Sequence, residues 1–194
     1  VLPLELFVGK ILSSKEWKVD FPDSQRISFE TFNDEWFVDY CIRVFGRPLA
    51  LRYLRSTTEP PSTYVRMNTL VNSPTEFKLS LEKDRIFFEP VESMRNIFRV
   101  VSSARPLVHT GSYKSGLFHI QDKSSCLSAL VADIRREENV LDMCAAPGGK
   151  TSHAAQLMEN VGTIVSVDYS ARRMQTWRRI TRRLSVMCAS ALVA

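Results

Sequence analysis

Leu141-Asp142-Met143-Cys144-Ala145-Ala146-Pro147-Gly148-Gly149-Lys150-Thr151 is the stretch that decides the fold of this 194-residue chain. Val140-Leu141-Asp142-Met143 reads as a short buried-type strand, Cys144 to Lys150 as a small-residue turn, and Thr151 to about Glu159 as a helix. Thr163-Ile164-Val165-Ser166-Val167-Asp168 follows as a second strand and Ala171 to Leu184 as a second helix. Strand, tight loop, helix, strand and terminal acid form the opening of a parallel α/β sheet. The spacing predicts that the chain runs out where a third strand would form.

The chemistry of this stretch is that of a nucleotide cradle. Small residues at the end of the first strand let a ligand touch the backbone, and the next helix start offers free N–H groups. An adenosine-type cofactor is the natural occupant. Asp168 ends the second strand, 19 positions after Gly149, where a carboxylate accepts hydrogen bonds from ribose hydroxyls. The spacing is not G-x-G-x-x-G. It approaches the phosphate-binding pattern G-x-x-x-x-G-K-[ST], but Cys144 stands at the first glycine position, and Pro147 removes an N–H that a phosphate wrap needs. A P-loop-like NTPase and a strand-turn-helix with no ligand remain as alternatives.

Outward from this stretch the chain divides into three. Residues 1-60 read as a helical N-terminal segment. Asn33 is placed to cap a helix whose apolar face is Trp36, Phe37, Tyr40, Cys41, Val44 and Phe45, Gly46 closes it, and Pro48 opens another. The Pro60-Pro61 pair marks a boundary. Residues 61-107 read as a small α+β module, with strands over Tyr64 to Leu70, Arg85 to Phe88 and Ile97 to Val101 and a helix start at Ser73-Pro74-Thr75-Glu76. Residues 108-194 hold the nucleotide sheet, introduced by a strand at Gly116 to Ile120. Asp122 then caps a helix to about Arg135 whose apolar face is Cys126, Leu127, Leu130, Val131 and Ile134.

Composition excludes several classes. The chain is 44% hydrophobic and 24% charged, with ordinary Gly and Pro counts and four cysteines, so it is neither disordered nor a disulfide scaffold. Cys41, Cys126, Cys144 and Cys188 lack metal-site spacing, and no metal is expected. No run approaches a membrane span, and Glu5 and Lys10 interrupt the opening Val1-Leu2-Pro3-Leu4 stretch, so the expected location is cytoplasmic, with no membrane partner. The net charge of +5 is unevenly spread. Residues 169 to 194 hold six arginines and no acid, while the first 168 hold 20 of the 26 basic residues and all 21 acidic ones. A single-sign block of this kind is a solvated helix face or a polyanion contact.

The segment from Asp142 to Thr151 resembles the cofactor motif of the Sun (Fmu-type) family of S-adenosylmethionine-dependent RNA cytosine-5 methyltransferases. Three other segments agree in order: Val65-Arg66-Met67-Asn68-Thr69 is similar to the family's R-x-N-T strand, Gln121-Asp122-Lys123-Ser124-Ser125 to its Q-D-x-S-S segment, and Asp168-Tyr169-Ser170-Ala171-Arg172-Arg173 to its D-x-S-x-x-R segment. The resemblance covers about residues 36 to 186. It implies a Rossmann-like methyltransferase sheet, truncated after its second helix, preceded by a small α+β RNA-recognition-like module and the helical segment.

It further implies that Cys144, Ala145, Ala146, Pro147, Gly148, Gly149 and Lys150 cradle the methionine and ribose parts of S-adenosylmethionine, that Asp168 holds the ribose hydroxyls, and that Arg173 shapes the pocket. Gln121 and Asp122 read as capping groups. The implied reaction transfers a methyl group to a cytosine in rRNA or tRNA, and RNA is the implied partner. Attack at cytosine C6 needs a thiolate. The family takes it from later strands, in P-C and T-C-S contexts that none of the four cysteines here matches. No catalytic residue is therefore assigned, and this chain alone is expected to be inactive. An RNA-binding fragment without catalysis is the alternative, with Arg178, Arg179, Arg182 and Arg183 as phosphate contacts.

Overall fold

The computed structural model describes residues 22–194; the first 21 positions of the expected helical lead, including Val1-Leu2-Pro3-Leu4, lie outside the described residues. The chain divides after Pro61 into two units, 1–61 and 62–194.

The described part of the first unit is three helices, α1 (Asp23–Thr31), α2 (Glu35–Phe45) and α3 (Arg47–Ser56). They close on a core of Ile27, Val38, Cys41, Ala50 and Leu54. Asp23 ties α1 to α3 through a two-pronged contact with Arg47, at 2.8 and 3.0 Å. Two expectations fail here. Asn33 does not cap α2; its amide donates to the Thr31 carbonyl and the Thr57 hydroxyl, and α2 starts after Asp34 with no side-chain cap bond. The buried face is Val38 and Cys41, flanked by Phe37 and Ile42, whereas Trp36, Tyr40, Val44 and Phe45 are exposed. Apolar residues surround nearly the whole helix, so periodicity offers two stripes, and the core takes the one with the smaller side chains.

In the second unit, β1 (Tyr64–Met67), α4 (Pro74–Lys83), β2 (Ile86–Pro90), β3 (Ile97–Ser103), the short α5 (Gly111–Lys114) and β4 (Phe118–Ile120) form an antiparallel sheet in the order β2-β3-β1-β4. This β-α-β-β-α-β path is the ferredoxin-like one. Ser73 and Glu76 form a full capping box at the start of α4. Val65, Met67, Phe77, Leu81, Ile86 and Phe118 are the core, with Phe88 and Phe98 packed on Phe77 at centroid distances of 5.7 and 5.2 Å. Asp84 anchors α5: its carboxylate accepts from the Ser112 N–H at 2.7 Å and hydroxyl at 2.6 Å, and Arg105 lies 2.8 Å away. β4 lies beyond residue 107 yet pairs with β1.

The parallel sheet consists of β5 (Asn139–Asp142), β6 (Thr163–Asp168) and β7 (Ala189–Val193), with α7 (Gly149–Leu157) and α8 (Ala171–Arg183) as crossovers. β7 corrects the expected stop after the second helix. Ser185 takes a left-handed φ of +58°, the Val186 N–H returns to the Thr181 carbonyl at 3.0 Å, and the chain turns back to pair Ala189 with Ile164 and Val193 with Asp168. α6 (Lys123–Val131) precedes this sheet, and Asp122 does cap it, accepting from the Ser124 N–H at 2.8 Å. Its buried face is Cys126 and Ala129; Leu127 and Val131 are exposed and Ile134 lies beyond its end, contrary to the expected stripe. α7 and α8 bury Ala154, Ala155, Met158, Met174 and Trp177 against the sheet. Leu141, Val165 and Leu192 stand exposed.

Phe77→Ala removes the ring at the centre of the three-phenylalanine cluster and is expected to cost about 3–5 kcal/mol. Urea unfolding followed by circular dichroism checks it; a loss below about 1 kcal/mol, the level of a surface change, would contradict the assigned core.

Candidate functional site

The loop from Cys144 to Gly148 joins β5 to α7, and its ends and middle are each tied down. At the ends, Asp142 accepts the Cys144 N–H at 3.2 Å with Oδ1 and the Thr151 hydroxyl at 2.7 Å with Oδ2. The same hydroxyl accepts the indole N–H of Trp177 at 3.0 Å, which fixes α8 beside the start of α7. In the middle, Asp168 Oδ2 accepts the Ala146 N–H at 3.2 Å and Arg173 Nη2 donates to the Ala146 carbonyl at 2.6 Å. Arg173 Nη1 lies 3.5 Å from Asp168 Oδ2, closing a triangle of carboxylate, guanidinium and peptide. Asp168 Oδ1 accepts the Ser170 N–H at 3.1 Å, so the acid is held by backbone on both oxygens and is almost fully buried. Gly148 has φ +114°, which a side chain rarely adopts, and a Cβ there would lie 3.4 Å from Trp177.

A recess of about 260 Å³ opens beside the loop, lined by Cys144, Ala145, Ala146, Pro147, Gly149 and Lys150 on one side and by His119, Gln121, Asp122 and Ser125 on the other. Six of the nine sequence-predicted residues thus share one wall. Gly148 turns toward α8 instead, and Asp168 and Arg173 do not line the recess but hold the loop through Ala146. The first-turn N–H groups of α7 have no intrahelical partners. Gly149 stands against the far wall, where a Cβ would come into ordinary contact with His119 Nε2 at 3.4 Å and the Gln121 amide at 3.5 Å. Among the described residues no group of acids, histidines and cysteines could hold a metal ion.

Behind the recess lies the feature the sequence reading missed. Arg66 is fully buried and, among the described residues, has no carboxylate partner. Its Nε donates to Gln121 Oε1 at 3.0 Å, Nη2 to the Ser152 hydroxyl at 2.7 Å, and Nη1 to Gln156 Oε1 and, at 3.4 Å, to the Ser152 carbonyl. Gln156 in turn donates to the Met67 carbonyl at 2.7 Å. Burial lowers the guanidinium to about 10, so it remains charged at neutral pH. Asn68 does the same work two residues on, donating to the Gly116 carbonyl at 2.9 Å and the Leu184 carbonyl at 3.0 Å. The R-x-N-T strand is therefore a joint between the two sheets. Gln121, read as a cap, is one of Arg66's acceptors and donates to Ser125 at 3.2 Å.

His119 pairs across from Arg66. Arg183 can only donate, so the 3.3 Å contact from its Nη2 makes His119 Nδ1 an acceptor and places the proton on Nε2, beside Gly149. Burial first, then the charges of Arg66 and Arg183, hold the His119 imidazole down to about 3. His153 on α7 is likewise held near 3, by burial and by Arg66. Arg183 is not a free phosphate contact, as the sequence reading had it. It donates to the Tyr113 carbonyl at 2.7 Å and the Phe118 carbonyl at 3.0 Å and lies 3.9 Å over the Tyr113 ring.

A parallel α/β sheet with a small-residue loop, a helix start aimed at a recess and a buried acid ending the second strand defines the Rossmann-like class. Residues 129–193 match the family described as 16S rRNA methyltransferase RsmB/F. The chain is 29% identical over 162 residues to the probable ribosomal RNA small subunit methyltransferase B of Bacillus subtilis, across 84% of this chain and 36% of that protein. It is 32% identical over 137 residues to the human 28S rRNA (cytosine(4447)-C(5))-methyltransferase, across 70% of this chain and 17% of that protein. A solved methyltransferase homolog from Pyrococcus horikoshii superimposes with a TM-score of 0.81 at 29% identity, over 90% of this chain and 57% of that one. These matches agree with the resemblance to the Sun (Fmu-type) family, and the family model covers residues 129–193 alone. The chain spans about a third or less of the length of these curated relatives.

The two neutral histidines fix a pH dependence. Their folded-state values lie near 3 against 6.5 unfolded, so below pH 6.5 the unfolded state binds more protons and stability falls as pH drops toward 3. Each contributes a slope of about 1.4 kcal/mol per pH unit in that window. His153→Leu removes one of the two, and denaturant unfolding between pH 6.5 and 4 should show the shallower slope; an unchanged slope would mean His153 is protonated in the fold.

Proposed function

We propose that this chain is part of an RNA (cytosine-5) methyltransferase acting on rRNA or tRNA, and that it binds S-adenosylmethionine at the β5–α7 loop. The observation that carries the reading is the clip of Asp168 and Arg173 on Ala146, which presents the loop backbone, with small side chains, beside an open helix start. The residues fit the cofactor. The backbone of Cys144 to Gly149 faces the methionine part, first-turn N–H groups and Lys150 favour its carboxylate, and the unused lone pairs of Asp168 accept from the ribose. When bound, the cofactor supplies an electrophilic methyl group. The family match and the likeness to rRNA methyltransferases support the substrate class.

By the same reading the chain alone transfers no methyl group. Cys41 and Cys126 are buried, and burial pushes the Cys126 thiol up to about 11, so it forms little thiolate at neutral pH. Burial also raises the Cys188 thiol. Cys144 is exposed but belongs to the cofactor loop.

Calorimetry of the purified chain should show binding of S-adenosylmethionine and none of ATP with magnesium. Asp168→Ala, which frees Arg173 and the Ala146 N–H, should weaken S-adenosylmethionine binding at least tenfold, whereas Cys144→Ala should change it less than threefold. Tight ATP binding without S-adenosylmethionine binding would transfer the reading to the NTPase alternative. Methyl incorporation into RNA by the chain alone, lost in Cys144→Ala, would overturn the assignment of that cysteine to the loop.

A further inference from the structure

We infer that RNA is held by its phosphates in a basic hollow between α5 and the outward side of α8, at Lys114, Arg178, Arg179 and Arg182. This rests on the reading of the chain as part of an RNA methyltransferase. The hollow is about 500 Å³, and Gln175 and Arg183 complete its lining without any acid. What distinguishes it is that unpaired cations converge: Arg43, Arg52, Arg85, Arg95 and Arg172 are also exposed without a carboxylate within 4 Å among the described residues, but none of them lines this hollow. Eight other arginines, from Arg26 to Arg173, lie within 4 Å of a carboxylate, but among the described residues none of Lys114, Arg178, Arg179 or Arg182 does. Residues 169 to 194 contain no acid at all, so α8 cannot neutralise itself. Cations gathered with no internal counter-charge repel one another and bind an external polyanion with release of its counterions.

The geometry is pre-set. Arg183 is the strut: it donates to carbonyls on both sides of the α5–β4 turn and stacks on Tyr113, the neighbour of Lys114. Gly116 allows that approach, since a Cβ there would lie 2.0 Å from the Arg183 carbonyl oxygen. The backbone that carries Lys114 is thereby held against α8, so the hollow exists before a phosphate arrives.

A second observation removes the competing place for RNA. An antiparallel sheet of this path can stack bases on its open face. Here the centre of that face is closed: Arg66, Ile97 and His119 are all buried, with Arg66 bonded to Ser152 and Gln156 on α7. The RNA contact of this unit is therefore electrostatic and falls on α8, where it positions the strand without reading sequence.

The test is the salt dependence of binding of a labelled single-stranded RNA to the purified chain over a KCl series. Each phosphate contact on a single strand contributes a slope of about −0.7 in log K against log salt. A variant combining Lys114→Gln, Arg178→Gln, Arg179→Gln and Arg182→Gln should be shallower by about 2 to 3. Arg135→Gln with Arg136→Gln, which removes two acid-paired arginines, should leave the slope unchanged. S-adenosylmethionine calorimetry and thermal melting on the same samples should match the parent chain. An unchanged slope in the fourfold variant, or no RNA binding by the parent chain, overturns the inference. Tighter binding of polyglutamate or of phosphatidylserine vesicles than of RNA overturns it in favour of another partner. If S-adenosylmethionine binding persists in those cases, only this inference fails; if the parent chain binds no S-adenosylmethionine, the functional reading fails.

Discussion

A guanidinium buried without a carboxylate is an unusual object, and the second unit is arranged around one. Taking the Arg66 charge out of water costs several kcal/mol, and only a full set of hydrogen bonds offsets it. The acceptors come from two places: Gln121 follows β4, and Ser152 and Gln156 stand on α7. The charge is tolerable only while the antiparallel sheet and α7 hold one mutual register. A slip of one helical turn would strand it. The start of α7, its free N–H groups and the recess beside them are located by that requirement.

The antiparallel sheet is used on both faces. Val65, Met67 and Phe118 point into its own core around Phe77, while Arg66 and His119, on the alternate positions, meet α7. The polar face makes the joint specific where an apolar one would permit many registers. Two cations and two uncharged imidazoles then share one small volume, and burial, reinforced by the arginine charges, keeps the imidazoles neutral.

The segments nearest the small-residue loop were the most legible in the sequence. β6 and the α8 start came out as read, Asp122 and the Ser73–Glu76 box cap as expected, and the loop backbone lines a recess. Here local chemistry decides: small residues, caps and β-branched runs have few alternatives. Arg66, Asn68 and His119 were not legible as a joint, because period-two alternation assigns them to a solvent face unless a second layer is known to cover it. Arg183 looked like its neighbours on α8, and only the approach of Tyr113 and Phe118 sets it apart. In α2 the apolar residues were too many for periodicity to choose among them, and in β7 a string of small residues carried too weak a pattern to announce a strand.

The parallel sheet has a consequence of a different kind. Leu141 and the Val165 opposite it are exposed, as is Leu192, which pairs with Val167 further along β6, and Met143 and Val131 are exposed as well. Strands of parallel sheets ordinarily have both faces covered, and an apolar plate with open edges invites contact with other apolar surfaces. The three strands therefore bury less of their apolar surface than a parallel sheet covered on both faces, and the packing energy of the sheet comes mainly from the side that α7 and α8 close.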